Sequence, residues 1–403
     1  MKRIAGGVAA AKGFRVAAAA AAIKYEGRSD VALIVADRPV AAAAVFTTNK
    51  VAAAPVVFDR AHMKGGRLQA ILANSGCANA CTGQAGLADA ELSANMTAGE
   101  LGISPKLVAV ASTGVIGRRL PVDRLAAGMK EAARKLSSGP AVAHEAAKAI
   151  MTTDTRPKEA AVETVIGGRR VVVGGMCKGS GMIEPNMATM LGFITTDAAI
   201  TPAMLRRALR RAVAISFNRV VVDGDESTND SVFVMASGEA GNAVIDSPGE
   251  DYEAFVEALA AVGVDLAKQI AKDGEGATKF VTVTVKGAKN ARDAERAARS
   301  IAKSPLAKTS WFGRDPNWGR VLAAAGYSGA DVDAEKAEVF YDGEWAYRKG
   351  EVAGPAQLKA LAKVLAKNEF TVAVDLHLGD GEASIYTCDF SLDYVHINAD
   401  YTT

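Results

Sequence analysis

Short runs of apolar residues, separated by glycine, proline and asparagine, recur along the chain and predict β-strands. The two earliest runs, residues 31–36 and 41–46, flank Arg38-Pro39, and we expect them to form a hairpin across that turn. Longer amphipathic stretches predict helices, such as residues 202–214 with arginines on their polar face. Further strands are predicted at residues 68–73, 107–111, 161–166, 170–173, 219–222, 231–236, 280–285, 337–340, 369–376 and 382–388, and further helices end at Leu101 or span residues 121–136, 141–151, 252–272, 288–302 and 357–366.

This mixture of strands and helices indicates an α/β fold built in layers, with antiparallel hairpins such as the one expected across Gly167-Gly168. At 403 residues the chain exceeds the usual size of one domain, so we expect two lobes or one large layered domain. Apolar residues make up 49% of the chain and charged residues 23%, which is a globular composition.

Charge and cysteine content exclude several classes of function. A formal net charge of +2 gives no electrostatic footprint for nucleic acid. Four cysteines in so long a chain argue for a reducing compartment, and no second Cys or His pair completes a zinc site with Cys77 and Cys81. No run reaches the roughly 18 apolar residues of a membrane span, so we expect a cytoplasmic protein with neither metal nor membrane.

The stretch from Lys178 to Phe193 carries the most unusual chemistry. Its glycines free the backbone, Pro185 fixes it, and a single hydroxyl, that of Thr189, stands where a buried strand begins. A threonine hydroxyl needs a base to become a nucleophile. An N-terminal threonine supplies its own α-amino group, with a pKa of about 7.7–8.0, and a strained Ala188-Thr189 bond can open by an N-to-O acyl shift. On the residues alone, this is one hypothesis beside a hydroxyl that is simply hydrogen-bonded.

Three other loops combine small and polar residues. Residues 112–117, just past a strand, can expose backbone N–H groups that bind an anion or an oxyanion. Residues 74–83 are interpreted either as a tight strand-to-helix turn or as the wall of a pocket. The acidic segment 223–230 is typical of a capped polar turn, with a calcium or magnesium site as the alternative.

These motifs together resemble the ArgJ family, the ornithine acetyltransferases or glutamate N-acetyltransferases of arginine biosynthesis. The matching segments are GFR, VFTTN, NSGCANACTG, STGVIG, MTTDT, KGSGMIEPNMATMLGF, DESTND, DGEGATK, GRDPNWGR and residues 398–403. The alanine runs at residues 17–22 and 41–44 depart from the family's glycines. The resemblance implies a layered αββα sandwich, as in DmpA and ArgJ proteins, with a smaller C-terminal α/β lobe from about residue 280 to 403.

The resemblance also implies the site. The precursor would cleave itself between Ala188 and Thr189, giving an α chain of residues 1–188 and a β chain of residues 189–403. Thr189 would be the nucleophile, and Thr113 and Gly114 would form the oxyanion hole. Lys178 suits a substrate carboxylate and Glu275 an ammonium group. The implied substrate contacts are Thr152, Lys178, Thr189, Glu275, Asn398 and Thr403, with Thr153 as a rival to Thr152.

The implied activity is transfer of acetyl from N-acetylornithine to glutamate by a ping-pong cycle through acetyl-threonine. No cofactor is implied, although a bifunctional member would also use acetyl-CoA, and the cleaved chains would assemble as an α2β2 heterotetramer. Two alternatives stay open. One is a self-cleaving aminopeptidase of the DmpA type, and the other is an uncleaved binding protein without activity.

Overall fold

The computed structural model describes residues 1–184 and 190–400. The strands are β1 (Lys2–Arg3), β2 (Phe14–Ala19), β3 (Val31–Phe46), β4 (Arg67–Asn74), β5 (Val108–Ser112), β6 (Lys158–Ile166), β7 (Arg169–Lys178), β8 (Leu191–Thr196), β9 (Ser231–Ala236), β10 (Phe280–Ala288), β11 (Glu338–Tyr341), β12 (Glu344–Arg348), β13 (Glu351–Val352), β14 (Glu369–Asp375) and β15 (Gly381–Cys388). The helices are α1 (Ala54–His62), α2 (Gly83–Leu101), α3 (Val122–Arg134), α4 (Pro140–Ala149), α5 (Pro202–Ile215), α6 (Glu250–Lys272), α7 (Ala291–Lys303), α8 (Pro305–Phe312), α9 (Trp318–Gly326), α10 (Pro355–Leu365) and α11 (Leu392–Asp400).

The larger sheet has the strand order β1-β6-β7-β8-β9-β3-β4-β5, with β2 paired to β3. The pair β8 and β9 runs parallel, and so does the pair β4 and β5, whereas the hairpin β6-β7 is antiparallel, as its Gly167-Gly168 turn predicts. The carboxyl end of β7 and the starts of β8 and β9 lie along one edge, because β7 is antiparallel to β8 and β8 is parallel to β9. The carboxyl end of β5 reaches the same region through the fold, where Ser112 O accepts from Asn229 Nδ2 at 2.8 Å.

The larger sheet curls into two packed halves. Residues 31–36 of β3 pair with β2, residues 41–46 pair with β9, and the ladder to β4 shifts register between Val35 and Val40. An inner core joins the halves: Ile34 and Ile71 come from one half, and Phe193 and Phe233, whose stacked rings lie 5.9 Å apart, come from the other. Helices α1–α3 cover one outer face and helices α5 and α6 the other, which confirms the αββα sandwich.

A second, six-stranded sheet forms the smaller C-terminal lobe, in the order β13-β12-β11-β14-β10-β15. Its separate core packs valines of the sheet, such as Val283 and Val372, against helices α7–α10. Helix α6 of the larger lobe contacts β15, so the two lobes meet beside the end of α6. The lobe boundary near residue 280 stays a prediction.

Two predicted elements are wrong. The hairpin expected at Arg38-Pro39 is one continuous strand, β3, because proline can be accommodated at a bulge, where the ladder bond it lacks is already interrupted. The strand predicted at residues 219–222 is a 3-10 turn at Phe217–Arg219 followed by one isolated bridge from Val220 to Tyr386. None of the described helices combines the length and apolar composition needed to cross a membrane.

Candidate active site

A cleft of about 360 Å³ opens where β5, β7, β8 and β9 meet. Residues from most of the sequence motifs reach it, including Gly114 after β5, Lys178 at the end of β7 and Glu275 after α6. Its described lining is Ala78, Thr113, Gly114, Ile116, Thr152, Thr153, Lys178, Gly181, Met182, Met190, Leu191, Ser227, Thr228, Asn229, Asp230, Glu275 and Asn398.

Two hydrogen-bond donors face this cleft from the loop after β5. The backbone N–H groups of the two residues that flank Gly114 already donate hydrogen bonds. Thr113 N donates to Asn74 O at 3.0 Å, and Val115 N donates to Gly76 O at 3.5 Å. Among the described residues, the Gly114 N–H and the Thr113 hydroxyl have no hydrogen-bond partner. A pair of adjacent free donors in a cleft is the arrangement that stabilises an oxyanion.

Close packing makes glycine obligatory at this point. Gly114 has φ of +130°, and an added Cβ would lie 2.5 Å from Gly76 C and 2.7 Å from Cys77 N. Both obstacles are backbone atoms, which cannot move aside as the end of a flexible side chain does. The loop of residues 74–83 is therefore the surface against which the donor pair is built.

Asparagines hold these loops together from behind. Asn74 accepts from Ser112 Oγ at 2.7 Å and donates to Cys77 O at 3.0 Å. Asn229 donates to Ala78 O at 2.6 Å and to Ser112 O at 2.8 Å, so the acidic segment 223–230 braces the donor pair. Within the same segment, the Asp223 carboxylate accepts from Met182 N at 2.6 Å and from Ile183 N at 2.7 Å. These two side chains cap and brace main-chain groups, which favours the capped-turn interpretation over a metal site.

Lys178 presents a cation to the cleft. Its side chain is mostly buried, and no hydrogen bond or ion pair ties it to any described residue. Behind it, Asp154 accepts from Gly179 N at 2.7 Å and from Thr152 N at 3.0 Å. One carboxylate thus fixes the backbone of two cleft segments.

The Asp154 carboxylate belongs to a buried ion network. Lys158 Nζ lies 2.7 Å from Asp154 Oδ1 and 2.5 Å from Asp273 Oδ2. Burial alone would raise the pKa of Asp154, but Lys178, Lys158 and the hydrogen bonds from Lys158 and Gly179 outweigh it and lower that pKa to about 2. The carboxylate is therefore charged at neutral pH.

The same network positions the opposite wall. The Ser180 hydroxyl donates to Asp273 O at 2.6 Å, and Glu275 N donates to Ser180 O at 3.0 Å. Gly181 packs against Glu275 so closely that an added Cβ would lie 2.3 Å from the carboxyl carbon. Glu275 is consequently held beside the glycine-rich loop.

Helix α11 closes this side of the cleft. Asn398 Nδ2 donates to Glu275 Oε2 at 2.9 Å, and it also donates to Tyr394 O at 3.0 Å. The start of the helix is docked by the Ser391 hydroxyl, which donates to Gly276 O at 2.5 Å. The structure thus brings together Thr113, Gly114, Lys178, Glu275 and Asn398 from four distant parts of the sequence.

The structure does not choose between two of the predicted site residues, and three others lie outside the residues that it describes. Thr152 and Thr153 both line the cleft, so the choice between them stays open. Ala188, Thr189 and Thr403 lie outside the described residues, and Met190 and Leu191 line the cleft. No three His, Cys, Asp or Glu side chains converge as metal ligands within residues 1–184 and 190–400.

Sequence reasoning missed the bracing residues. Asp154, Lys158, Asp273, Asn229 and Asp230 are buried polar side chains in or behind the cleft. The first lies inside the MTTDT motif and the last two inside DESTND, so the motifs contained them without revealing their roles. Only the fold brings Lys158 to Asp273, which are 115 residues apart.

Comparison with known proteins places the chain in a family. The ArgJ family model matches residues 15–403. A Symbiobacterium thermophilum protein named arginine biosynthesis bifunctional protein ArgJ is 53% identical over 405 residues, covering 100% of both chains. A Geobacter sulfurreducens protein of the same name is 52% identical, covering 97% of this chain and 99% of its own.

A solved structure is also similar to this chain. The crystal structure of an arginine biosynthesis bifunctional protein ArgJ from Bacillus halodurans is 43% identical with a TM-score of 0.51. That chain is matched over 100% of its length and covers 53% of this one. From its motifs, its full-length relatives and this fold, the chain belongs to the ArgJ family.

Proposed function

We propose that this protein is an acetyltransferase of arginine biosynthesis that moves acetyl from N-acetylornithine to glutamate through an acetyl-Thr189 intermediate. The observation that carries the proposal is the cleft in which a free donor pair, a cation and a carboxylate converge beside Met190, the residue after Thr189. Full-length relatives named for arginine biosynthesis support the substrate class.

The chemistry needs only groups of this chain. The Thr189 hydroxyl attacks the acetyl carbonyl carbon and passes its proton to its own α-amino group. The oxygen that becomes negative accepts hydrogen bonds from the Thr113 hydroxyl and the Gly114 N–H. The C–N bond then breaks, the ammonium proton moves to the departing ornithine nitrogen, and an acetyl ester remains on Thr189. The amine of glutamate then takes the acetyl group from Thr189 by the same steps in reverse.

Charge complementarity supports the assignment of the two walls. Lys178, which makes no hydrogen bond or ion pair with a described residue, suits the α-carboxylate that both amino acids carry. Glu275 suits the side-chain ammonium of ornithine, and Asn398, hydrogen-bonded to it, fixes its orientation. Thr152 or Thr153, together with Thr403, completes the proposed contacts.

Self-cleavage between Ala188 and Thr189 is part of the proposal, because only cleavage creates the α-amino base. The solved chain from Bacillus halodurans supports self-cleavage. It matches this protein over its whole length but covers only 53% of it. Residues 189–403, the expected β chain, make up the same share of the sequence. The enzyme would then be an α chain of residues 1–188 and a β chain of residues 189–403.

Intact mass spectrometry of the purified protein, before and after addition of N-acetylornithine, tests the proposal. Wild type is expected as two chains, with one acetyl group added to the β chain only. Thr189→Ala is expected to stay one chain and take up no acetyl. A wild type that stays whole while it acetylates glutamate would refute the mechanism, and release of free acetate without transfer would favour the aminopeptidase-like hydrolase.

Three finer points extend the proposal. The relatives are named bifunctional, which supports acetyl-CoA as a second donor, and acetylation of the β chain by acetyl-CoA alone would establish it. We further propose an α2β2 assembly in the cytoplasm. Its native mass, twice that of the 41.6 kDa chain, is measurable by light scattering.

A further inference from the structure

Asn229 is a buried side chain that joins the two loops behind the proposed oxyanion site. It is 7% exposed and lines the cleft. Its Nδ2 atom donates to Ala78 O at 2.6 Å and to Ser112 O at 2.8 Å, and its Oδ1 atom accepts from Thr228 Oγ1 at 2.6 Å. Both amide protons and the amide oxygen are thus in use, which fixes the orientation of the side chain.

The contact with Ser112 acts on the peptide that precedes the donor pair. A peptide unit is planar, so the Ser112 C=O and the Thr113 N–H turn together. The C=O accepts from Asn229 Nδ2 at 2.8 Å, and the N–H donates to Asn74 O at 3.0 Å. Because both ends of this peptide are held, the Thr113 hydroxyl and the Gly114 N–H that follow it keep their direction toward the cleft.

The contact with Ala78 holds the other side of the donor loop. Ala78 N donates to Val115 O at 2.9 Å, and Ala78 O accepts from Asn229 Nδ2 at 2.6 Å. Val115 directly follows Gly114 in the sequence. The residues before and after the donor pair are therefore both tied to one side chain, the first directly and the second through Ala78.

The segment that carries Asn229 also holds the strand that follows the expected cut. Ser231 N donates to Met190 O at 2.9 Å, and Asp230 O accepts from Thr47 N at 2.9 Å. The parallel ladder of β8 and β9 begins at the same point. One short segment at the start of β9 is thus bonded to the start of β8, to the residue after β3 and to both loops behind the donor pair.

We propose that Asn229 is a positioning residue for acetyl transfer, which sets the direction of the Thr113 hydroxyl and the Gly114 N–H by holding the two loop carbonyls. The inference rests on the proposed function, because the direction of the donors matters where an oxyanion forms. Asn229 follows the expected cut and both carbonyls precede it. A side chain of the β chain would therefore hold the donor loop of the α chain.

Asn229→Ala and the nearly isosteric Asn229→Asp test this, because neither an alanine nor an ionised aspartate can donate to the two carbonyls. Rapid-quench acetylation of the cleaved enzyme by N-acetylornithine, followed by intact mass, gives the maximal rate and the half-saturating concentration. The maximal rate is expected to fall about 10–100-fold, the effect of a misplaced catalytic group. The half-saturating concentration should stay within about twofold of wild type, because Lys178 and Glu275 are unchanged.

A double-mutant cycle tests whether Asn229 acts through the donor pair. Thr113→Val removes one of the two donors, so Asn229→Ala should slow the Thr113→Val protein less than it slows wild type. Rate losses that simply multiply would show that Asn229 acts elsewhere, and they would overturn the inference.

Asn242 supplies the matched control for a purely structural role. It is 6% exposed, accepts from Ala199 N at 2.9 Å and donates to Ala199 O at 3.1 Å, but the described lining of the cleft does not include it. Asn242→Ala should lower the melting temperature as Asn229→Ala does, because each removes hydrogen bonds from buried main-chain groups. Its acetylation rate should stay near wild type. Equal rate losses in the two variants would assign the effect to a loosened fold and contradict the proposal.

The outcomes separate this inference from the proposed function. If wild type forms no acetyl-enzyme, the proposed function is wrong and the inference falls with it. If wild type is acetylated and both Asn229 variants keep its maximal rate, or lose activity only through weaker substrate binding, Asn229 is not a positioning residue. If neither Asn229 variant folds and is cleaved while Asn242→Ala does both, Asn229 serves the assembly of the fold and the inference is overturned.

Discussion

Gly114 shows how one residue can limit both packing and chemistry. Its left-handed φ and its contact with the Gly76 backbone exclude a Cβ, and its N–H is one of the two donors proposed to bind the oxyanion. In Gly114→Ala the backbone N–H is kept, but the added Cβ must push the loop, and that N–H with it, away from the oxyanion position. We predict that the rate of acetyl-enzyme formation falls by about 10²–10³, the usual effect of losing such a donor. Stopped acetylation reactions analysed by intact mass provide the measurement.

Gly117 offers the matched control at the residue scale. It also has a positive φ, +79°, but nothing lies within 4 Å of the position that an added Cβ would occupy. Gly117→Ala should therefore cost about 1–2 kcal/mol of stability for the backbone conformation alone and leave the acetylation rate near wild type. Equal loss of rate in the two variants would mean that strain in the loop, rather than the donor at Gly114, is responsible.

At the scale of elements, the Asp154 network joins the start of β6, the end of β7 and the residue after α6. Removing one charge leaves Lys158 with a single carboxylate in a fully buried site. We predict that Asp154→Asn destabilises the fold by about 3–5 kcal/mol at neutral pH, as breaking a buried pair does. Asp37→Asn, which breaks an exposed pair with Arg15, should cost less than about 1 kcal/mol.

The pH dependence of this difference follows from the sign of the pKa shift. The folded-state pKa of Asp154 is about 2, below that of an unfolded aspartate, so its charge stabilises the fold above the unfolded pKa. That contribution disappears as pH falls through the folded pKa. Urea unfolding of wild type and Asp154→Asn between pH 7 and pH 3 should show that the difference between their free energies of unfolding becomes smaller as the pH falls. A gap that widens would contradict the charged state assigned to Asp154.

Some elements could be predicted correctly from local sequence patterns alone. The Gly167-Gly168 hairpin and helix α6 were predictable because turn chemistry and a long amphipathic period act within one element. The Arg38-Pro39 hairpin was wrong because a bulge and a turn share the same residues, and pairing to β4 and β9 selects between them. Local propensity contains no information about a partner strand that lies far along the chain.

At the scale of the whole molecule, the expected cut would leave two interleaved chains. Strands β8 and β9 follow residue 189, yet they lie between β7 and β3, which precede it. The chains would share ladders on both sides of that pair and the inner core as well. Separating them would break a continuous sheet, so each half lacks the partner that completes its layers.

We therefore predict that the α and β chains migrate together on gel filtration at neutral pH and separate only when the fold is denatured. Native and denaturing electrophoresis of the same sample would show this. Residues 1–188 expressed without the rest should be insoluble or unfolded by circular dichroism. A soluble, folded 1–188 fragment would contradict the interleaved arrangement.

The sequence by itself determined the layered α/β class, the family resemblance and most motifs that line the cleft, because turn residues, periodicity and short polar loops are local properties. The resemblance of its motifs to a known family also implied roles for Thr113, Gly114, Lys178, Glu275 and Asn398. The tertiary structure decided the rest: the path of β3, the buried Asp154-Lys158-Asp273 network, and the position of Asp230 in the cleft. Those features depend on burial and on contacts between distant segments, and both arise only when the sheets close around their common core.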